Sequence, residues 1–163
     1  MYSIPGGDTR ARYCCTDCGV IHYQNPKMVV GCIPVFENKI LLCRRAIEPL
    51  YGLWNLPAGF LENGETIEEG ALRETREEAH IEVKLVRLHS IFNLLHFQQV
   101  YLFFLAKMHS PQCACGAESL EVRLFEETHL PWNQLAFSSN EFALRKYLAD
   151  KHFSGVHIGS LIP

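Results

Sequence analysis

Two apolar runs, Met28 to Phe36 (MVVGCIPVF) and Lys39 to Arg45 (KILLCRR), are parted only by Glu37 and Asn38, which predicts two strands joined as a hairpin. Three further runs read as strands: EVKLVRLHSIF from Glu82, QVYLFFLAKM from Gln99 and EVRLFEE from Glu121. The last two are separated by a proline-marked loop, HSPQCACGAES. AIEPLYGLWNLPAGF, broken by prolines and glycines, reads as loop throughout. Beyond it the apolar period lengthens to that of a helix. Thr66 and Glu69 form a capping box, in which hydroxyl and carboxylate each satisfy an orphan backbone donor, so the helix begins at Ile67. Ile67, Ala71, Leu72, Thr75 and Ala79 then share the face to be buried, with Arg73 and Arg76 opposite. SSNEFALRKYLADKHF predicts a second helix, with Ser138, Ser139 and Asn140 as N-cap choices. The chain shows no internal repeat. Residues 1–27 are polar, with glycine, proline and cysteine, and read as an appendage to a main domain over 28–163.

Composition narrows the class without identifying it. At 163 residues, 48% hydrophobic and 20% charged, the chain suits one domain with a real core. A formal charge of -3 offers no general attraction to nucleic acid or an acidic membrane surface, and neither partner is expected. No apolar run approaches the roughly eighteen residues that span a bilayer, and the first residues lack a secretory core, so a cytoplasmic chain is expected. Seven cysteines are an odd number, and Cys32, Cys43, Cys113 and Cys115 stand apart from Cys14, Cys15 and Cys18. Free thiols or a metal in a reducing compartment fit this better than a disulfide framework.

Candidate chemistry concentrates on the first helix. Glu74, Glu77 and Glu78 fall within an arc of roughly 100° beside the buried face, because positions three and four apart are helical neighbours. Like charges so placed cost a few tenths of a kcal/mol per pair, and anions late in a helix oppose its dipole. A cation should compensate. Arg73 and Arg76 lie on the wrong side to neutralise all three, whereas a hard divalent ion takes carboxylate oxygens and keeps waters for substrate phosphates. The competing reading of the helix alone is a solvated acidic face.

The wider spacing decides between them. Gly59, five residues, Glu65, seven residues, Arg73-Glu74, then Glu77-Glu78 and Ile81 resembles the signature of the Nudix hydrolases, and the preceding GLW and LPAG resemble it too. Two positions depart: Thr75 replaces a bulky aliphatic, and His80 replaces the glycine that ends the helix in a left-handed conformation, a region histidine enters at some cost in strain. The resemblance implies an α+β fold, an α/β/α sandwich with a mixed sheet, and hydrolysis of a nucleoside diphosphate linked to another moiety. It implies Mg2+ or Mn2+ held by Glu74, Glu77 and Glu78 with a carbonyl of Ala58 or Gly59. It pairs Arg73 with Glu65 to hold helix and loop in place. A further carboxylate from a later loop, as base or extra ligand, is expected at Glu118, with Glu121 the alternative.

CCTDCGVIHYQNPKMVVG contains Cys15-x-x-Cys18-Gly, which resembles half of a zinc ribbon that precedes this domain in a subgroup active on FAD and ADP-ribose. Structural zinc takes four ligands, so Cys15 and Cys18 would need others, and adjacent Cys14 and Cys15 rarely reach one ion; His22 is a further candidate. The subgroup resemblance favours an ADP-linked substrate and, by analogy, a homodimer. Reduced-NAD cleavage and non-catalytic nucleotide sensing are the alternatives. Arg44 and Arg45 are candidates for phosphate contact, and Trp54, Phe60, Phe92 and Tyr101 for base stacking, against surface salt bridging and core packing respectively. His89, His96 and His129 read as ordinary histidines.

Overall fold

The structure, a computed structural model, describes residues 1–162. Strands β1 (Tyr2–Ser3), β2 (Arg12–Cys14) and β3 (Ile21–His22) form a small antiparallel sheet at the N-terminus. There follow β4 (Lys27–Phe36), β5 (Lys39–Arg45), β6 (Trp54–Asn55), β7 (Ala58–Phe60), helix α1 (Ile67–Ala79), β8 (Val83–Leu94), β9 (Gln99–Met108), β10 (Ser119–Glu126), helix α2 (Ser138–Ala149) and β11 (His157–Leu161). The last eight strands make one mixed sheet in the order β10-β5-β4-β9-β8-β11, with β6 on β5 and β7 on β4. Among the described residues no helix is long and apolar enough to cross a membrane.

The continuous apolar runs of β4 and β5 follow from burial on both sheet faces. Val29, Ile33, Ile40 and Leu42 enter one core with Ala143 and Leu144 of α2, whereas Val30, Cys32, Leu41 and Cys43 enter another with Ala71 and Ala79 of α1. Alternation therefore assigns successive side chains to the two helices, and the result is the expected α/β/α sandwich. The hairpin turns at Glu37 and Asn38, with Glu37 at φ 54°.

Local signals hold closely in α1. Thr66 accepts from the Glu69 amide at 3.2 Å, and the Thr66 amide donates to the Glu69 carboxylate at 2.8 Å. His80 ends the helix at φ 50°, ψ 39°, the left-handed conformation its position required. Three expectations need correction. The loop before α1 contains β6 and β7, which are too short to announce themselves by periodicity. Phe137 is the N-cap residue of α2, without a side-chain hydrogen bond, so Ser138, Ser139 and Asn140 lie inside the helix. The terminal strand β11, parallel to β8 through His157↔Ser90 to Leu161↔Leu94, was not anticipated because glycine and histidine interrupt its run.

His89 sits between β8, β11 and α2, fully buried, with Nε2 3.1 Å from the Ala143 carbonyl and its ring 5.1 Å from that of His157. Burial lowers its pKa to about 4, and the nearby Arg87 and His157 act in the same direction. Such a histidine contributes stability that is complete above the unfolded value near 6.5 and is lost as pH falls toward 4. Urea titrations at pH 7 and pH 5 should show the wild type losing about 2 kcal/mol more than His89→Gln over that interval.

Candidate active site

The first helix meets the loop before it through one guanidinium. Arg73 donates from Nε and Nη2 to both oxygens of Glu65 at 3.0 and 2.7 Å, a bidentate pair, and from Nη2 to the Phe60 carbonyl at 3.0 Å. Its Nη1 donates to Glu74 at 2.6 Å and Glu77 at 3.2 Å. Glu65 also accepts from the Glu62 amide at 2.8 Å. Arg73, with the Glu62 amide, holds the Glu65 carboxyl down at about 2. The helical-wheel expectation that Arg73 faces away from the carboxylates is thus wrong: a long side chain wraps back over its own helix. Arg76 does face away and pairs with Glu82 at 2.7 Å.

Arg73 reaches two of the three glutamates but makes no contact with Glu78. Glu78 is buried, and its oxygens have only long contacts, 3.4 Å from the Ala58 amide and 3.4 Å from Asn55 Nδ2. Burial, aided by the carboxylates of Glu74 and Glu118 and opposed by the Ala58 and Asn55 contacts, pushes its pKa up to about 8. Glu74 is also raised, first by burial and then by Glu77 and Glu118, against the pull of Arg73. Glu77 is more open, its side chain 59% exposed. These buried carboxylates repel one another and lack enough cationic partners, and their donors are all oxygen, which suits a hard divalent ion. Among the described residues no group of three acidic, histidine or cysteine side chains is drawn together as a metal site, and Arg73 holds an oxygen of Glu74 and of Glu77.

Two glycines set the approach of neighbouring backbone. A Cβ on Gly59 would lie 2.3 to 2.4 Å from the Glu74 carboxylate, so only glycine lets that side chain rest against β7. A Cβ on Gly116 would lie 1.7 Å from the Glu77 carbonyl, and the Gly116 amide donates to the Glu78 carbonyl at 3.0 Å. The loop after β9 is thereby seated on the end of α1.

Beside these groups is a cavity of about 1120 Å3, lined by Glu74, Glu77, Glu78, Glu118, Ala58 and Gly59 on one side. Arg73, Arg45 and Phe60 line it as well. Arg45 donates from Nε to the Pro49 carbonyl at 2.9 Å and lies over the Phe137 ring at 5.0 Å. Phe60 is 46% exposed, with the Lys27 ammonium 5.1 Å from its ring centroid. Tyr101 also reaches the cavity. Arg44, Trp54 and Phe92 do not line it. Arg44 turns outward to the Gly52 carbonyl and to Glu121, Trp54 is buried against Phe125, and Phe92 packs on Phe142. Strand alternation separates Arg44 from Arg45, and core volume claims the two aromatics. Glu121 belongs to the β10–β5 pairing and is likewise absent from the lining, so Glu118 is the loop carboxylate at the site.

Sequence reasoning passed over Asn140. It is 1% exposed, lines the cavity, and its Nδ2 has no hydrogen-bond partner among the described residues. An unpartnered buried amide is costly, so Asn140 in the cavity wall is a candidate donor to a ligand. The available signal was a polar residue in helical register with Ala143, Leu144 and Tyr147, the buried face of α2.

In the N-terminal sheet, backbone amides of Cys18 and Asp17 and the Cys18 thiol hold the Cys15 thiol below its ordinary range. Cys14 turns instead toward the Arg12 carbonyl, 3.8 Å away, and is not placed with Cys15. Cys15 and Cys18 would supply two of the four ligands that a structural zinc takes.

Comparison with known proteins places this geometry. The NUDIX domain family model matches residues 25–149, and a Nudix N-terminal model matches residues 1–24. A protein named ADP-ribose pyrophosphatase from Methanocaldococcus jannaschii is 30% identical over 134 residues, 80% of this chain and 78% of that protein. An NAD-capped RNA hydrolase NudC from Vibrio atlanticus is 40% identical over 76 residues, 45% of this chain and only 27% of that protein. Among solved structures, a NUDIX hydrolase from Nitrosomonas europaea superposes with a TM-score of 0.93 at 49% identity, covering 99% of this chain and 93% of that one.

Gly59→Ala should leave the fold intact while displacing Glu74. Far-ultraviolet circular dichroism is expected to be unchanged, and hydrolytic turnover to fall at least about a hundredfold.

Proposed function

Because this chain belongs to the Nudix hydrolase family, we propose that it cleaves the diphosphate bond of an ADP-linked compound such as ADP-ribose or FAD, with Mg2+ or Mn2+ as its metal. One observation carries this reading: desolvated, mutually repelling Glu74 and Glu78 stand at the edge of a large cavity, with Asn140 unpartnered in its wall. The similarity to the named ADP-ribose pyrophosphatase, which extends over most of both chains, supports the substrate class.

Glu74, Glu77 and Glu78, with a carbonyl of Ala58 or Gly59, would hold the metal, which when bound neutralises the diphosphate and lowers the pKa of a bound water. The protein supplies the rest. Arg73 and Glu65 fix the loop to the helix and so act as positioning residues. Arg45 presents its remaining guanidinium nitrogens to phosphate. Asn140 donates to an acceptor on the substrate, and exposed Phe60 offers a face to its base. Water adds in line to one phosphorus, the bridging P–O bond breaks with its electron pair on the departing phosphate, and Glu118 takes the proton of the water. ADP-ribose would yield AMP and ribose 5-phosphate.

A second reading, cleavage of a dinucleotide such as reduced NAD, draws on the likeness to NAD-capped RNA hydrolases, though that likeness spans about a quarter of the curated relative. Non-catalytic sensing is disfavoured by the retained glutamates.

A panel of nucleoside diphosphate compounds assayed with Mg2+ or Mn2+ and ranked by kcat/KM tests the substrate class. Glu77→Gln, at an exposed position, should keep the melting temperature and lose at least about a hundredfold in kcat. Wild-type turnover in that variant, or no AMP release from any member of the panel by the native chain, would overturn the proposal.

A further inference from the structure

A second cavity, of about 540 Å3, lies outside the carboxylate cleft, between the N-terminal sheet and the β8–β9 connection. Its size is within the range of small-molecule sites. Tyr2, Tyr13 and His22 are successive cross-strand partners, Tyr2↔Tyr13 and Tyr13↔His22, and therefore share one face of the small sheet. All three line the cavity. Tyr2 and Tyr13 are 64% and 51% exposed, with ring centroids 4.9 Å apart, so two aromatic rings are left open to solvent beside a concave surface.

The remaining lining mixes apolar Ala11, Pro26, Leu95 and Val100 with amide and guanidinium side chains. Gln24 and Gln98 bring side-chain amides to its wall. Asn93 is already committed to the Gly159 carbonyl at 3.2 Å. Of the two guanidiniums present, Arg12 is held by Asp8 at 3.0 Å, whereas Arg10 makes no ion pair among the described residues. An open aromatic face stacks on a planar base, an amide reads donors and acceptors at its edge, and a guanidinium takes phosphate. These three chemistries together describe a nucleotide.

We propose that this cavity is a second nucleotide site, holding a base against Tyr2 and Tyr13 and a phosphate at Arg10. Gln99 lines both this cavity and the carboxylate cleft, so the two sites adjoin across the β8–β9 turn. The occupant is a free mononucleotide, because a dinucleotide whose diphosphate lies at the glutamates has both phosphates there and none left for Arg10. The binding inference stands without the hydrolytic one, because it is read in the absence of turnover.

The test is calorimetric titration of the full chain with AMP in EDTA, comparing the wild type with Tyr13→Ala and with Arg10→Ala, both exposed positions. One binding event should weaken at least tenfold in each variant, with circular dichroism unchanged. Wild-type stoichiometry and affinity in both variants, or no AMP binding by the native chain, overturns the site. In Tyr13→Ala the KM values for FAD and ADP-ribose should both stay unchanged, whereas a rise of fivefold or more for FAD would place part of that substrate against the tyrosines and overturn a separate mononucleotide site.

Discussion

The site depends on a balance of charge that one arginine achieves only in part. Arg73 gathers Glu65, Glu74, Glu77 and the Phe60 carbonyl, and so ties the preceding loop to the middle and last turn of the helix. It leaves Glu78 buried and without a cation. A fully compensated cluster would be a structural salt-bridge network, and a fully exposed one a solvated helix face. The intermediate arrangement keeps the carboxylates close and their repulsion unrelieved, which gives an incoming cation something to gain.

The rest of the domain can be understood as support for that arrangement. Both faces of the large sheet are buried, so α1 is pressed against Val30, Cys32 and Leu41 while α2 closes the opposite face. The two close backbone approaches, β7 to Glu74 and the Gly116 loop to the end of α1, set the position of the cluster from two further directions. Helix packing fixes where the glutamates are, and loop packing fixes what they face.

Much of this was legible in the letters, and the failures have physical causes. The capping box and the left-handed His80 depend on neighbours within a few residues, so sequence carried them fully. Strands buried on both faces were readable as apolar runs. Short strands such as β6 and β7 arise from tertiary pairing and leave no periodic trace. Arg73 was misplaced because a wheel locates Cβ and says nothing of where six further heavy atoms go. Trp54 and Arg44 were poor substrate candidates for a related reason: the direction of a strand's side chains is known only once its register is. Asn140 was in plain view as a polar residue, but its meaning required knowing that no partner meets it.

The final strand has a consequence for how the protein can be handled. β11 forms the outer edge of the large sheet, and Leu161, its last residue, contributes to the wall of the carboxylate-lined cavity. A change of sequence directly after β11 would therefore act within a few residues of that cavity wall, whereas the hairpin between β4 and β5 lies away from its lining.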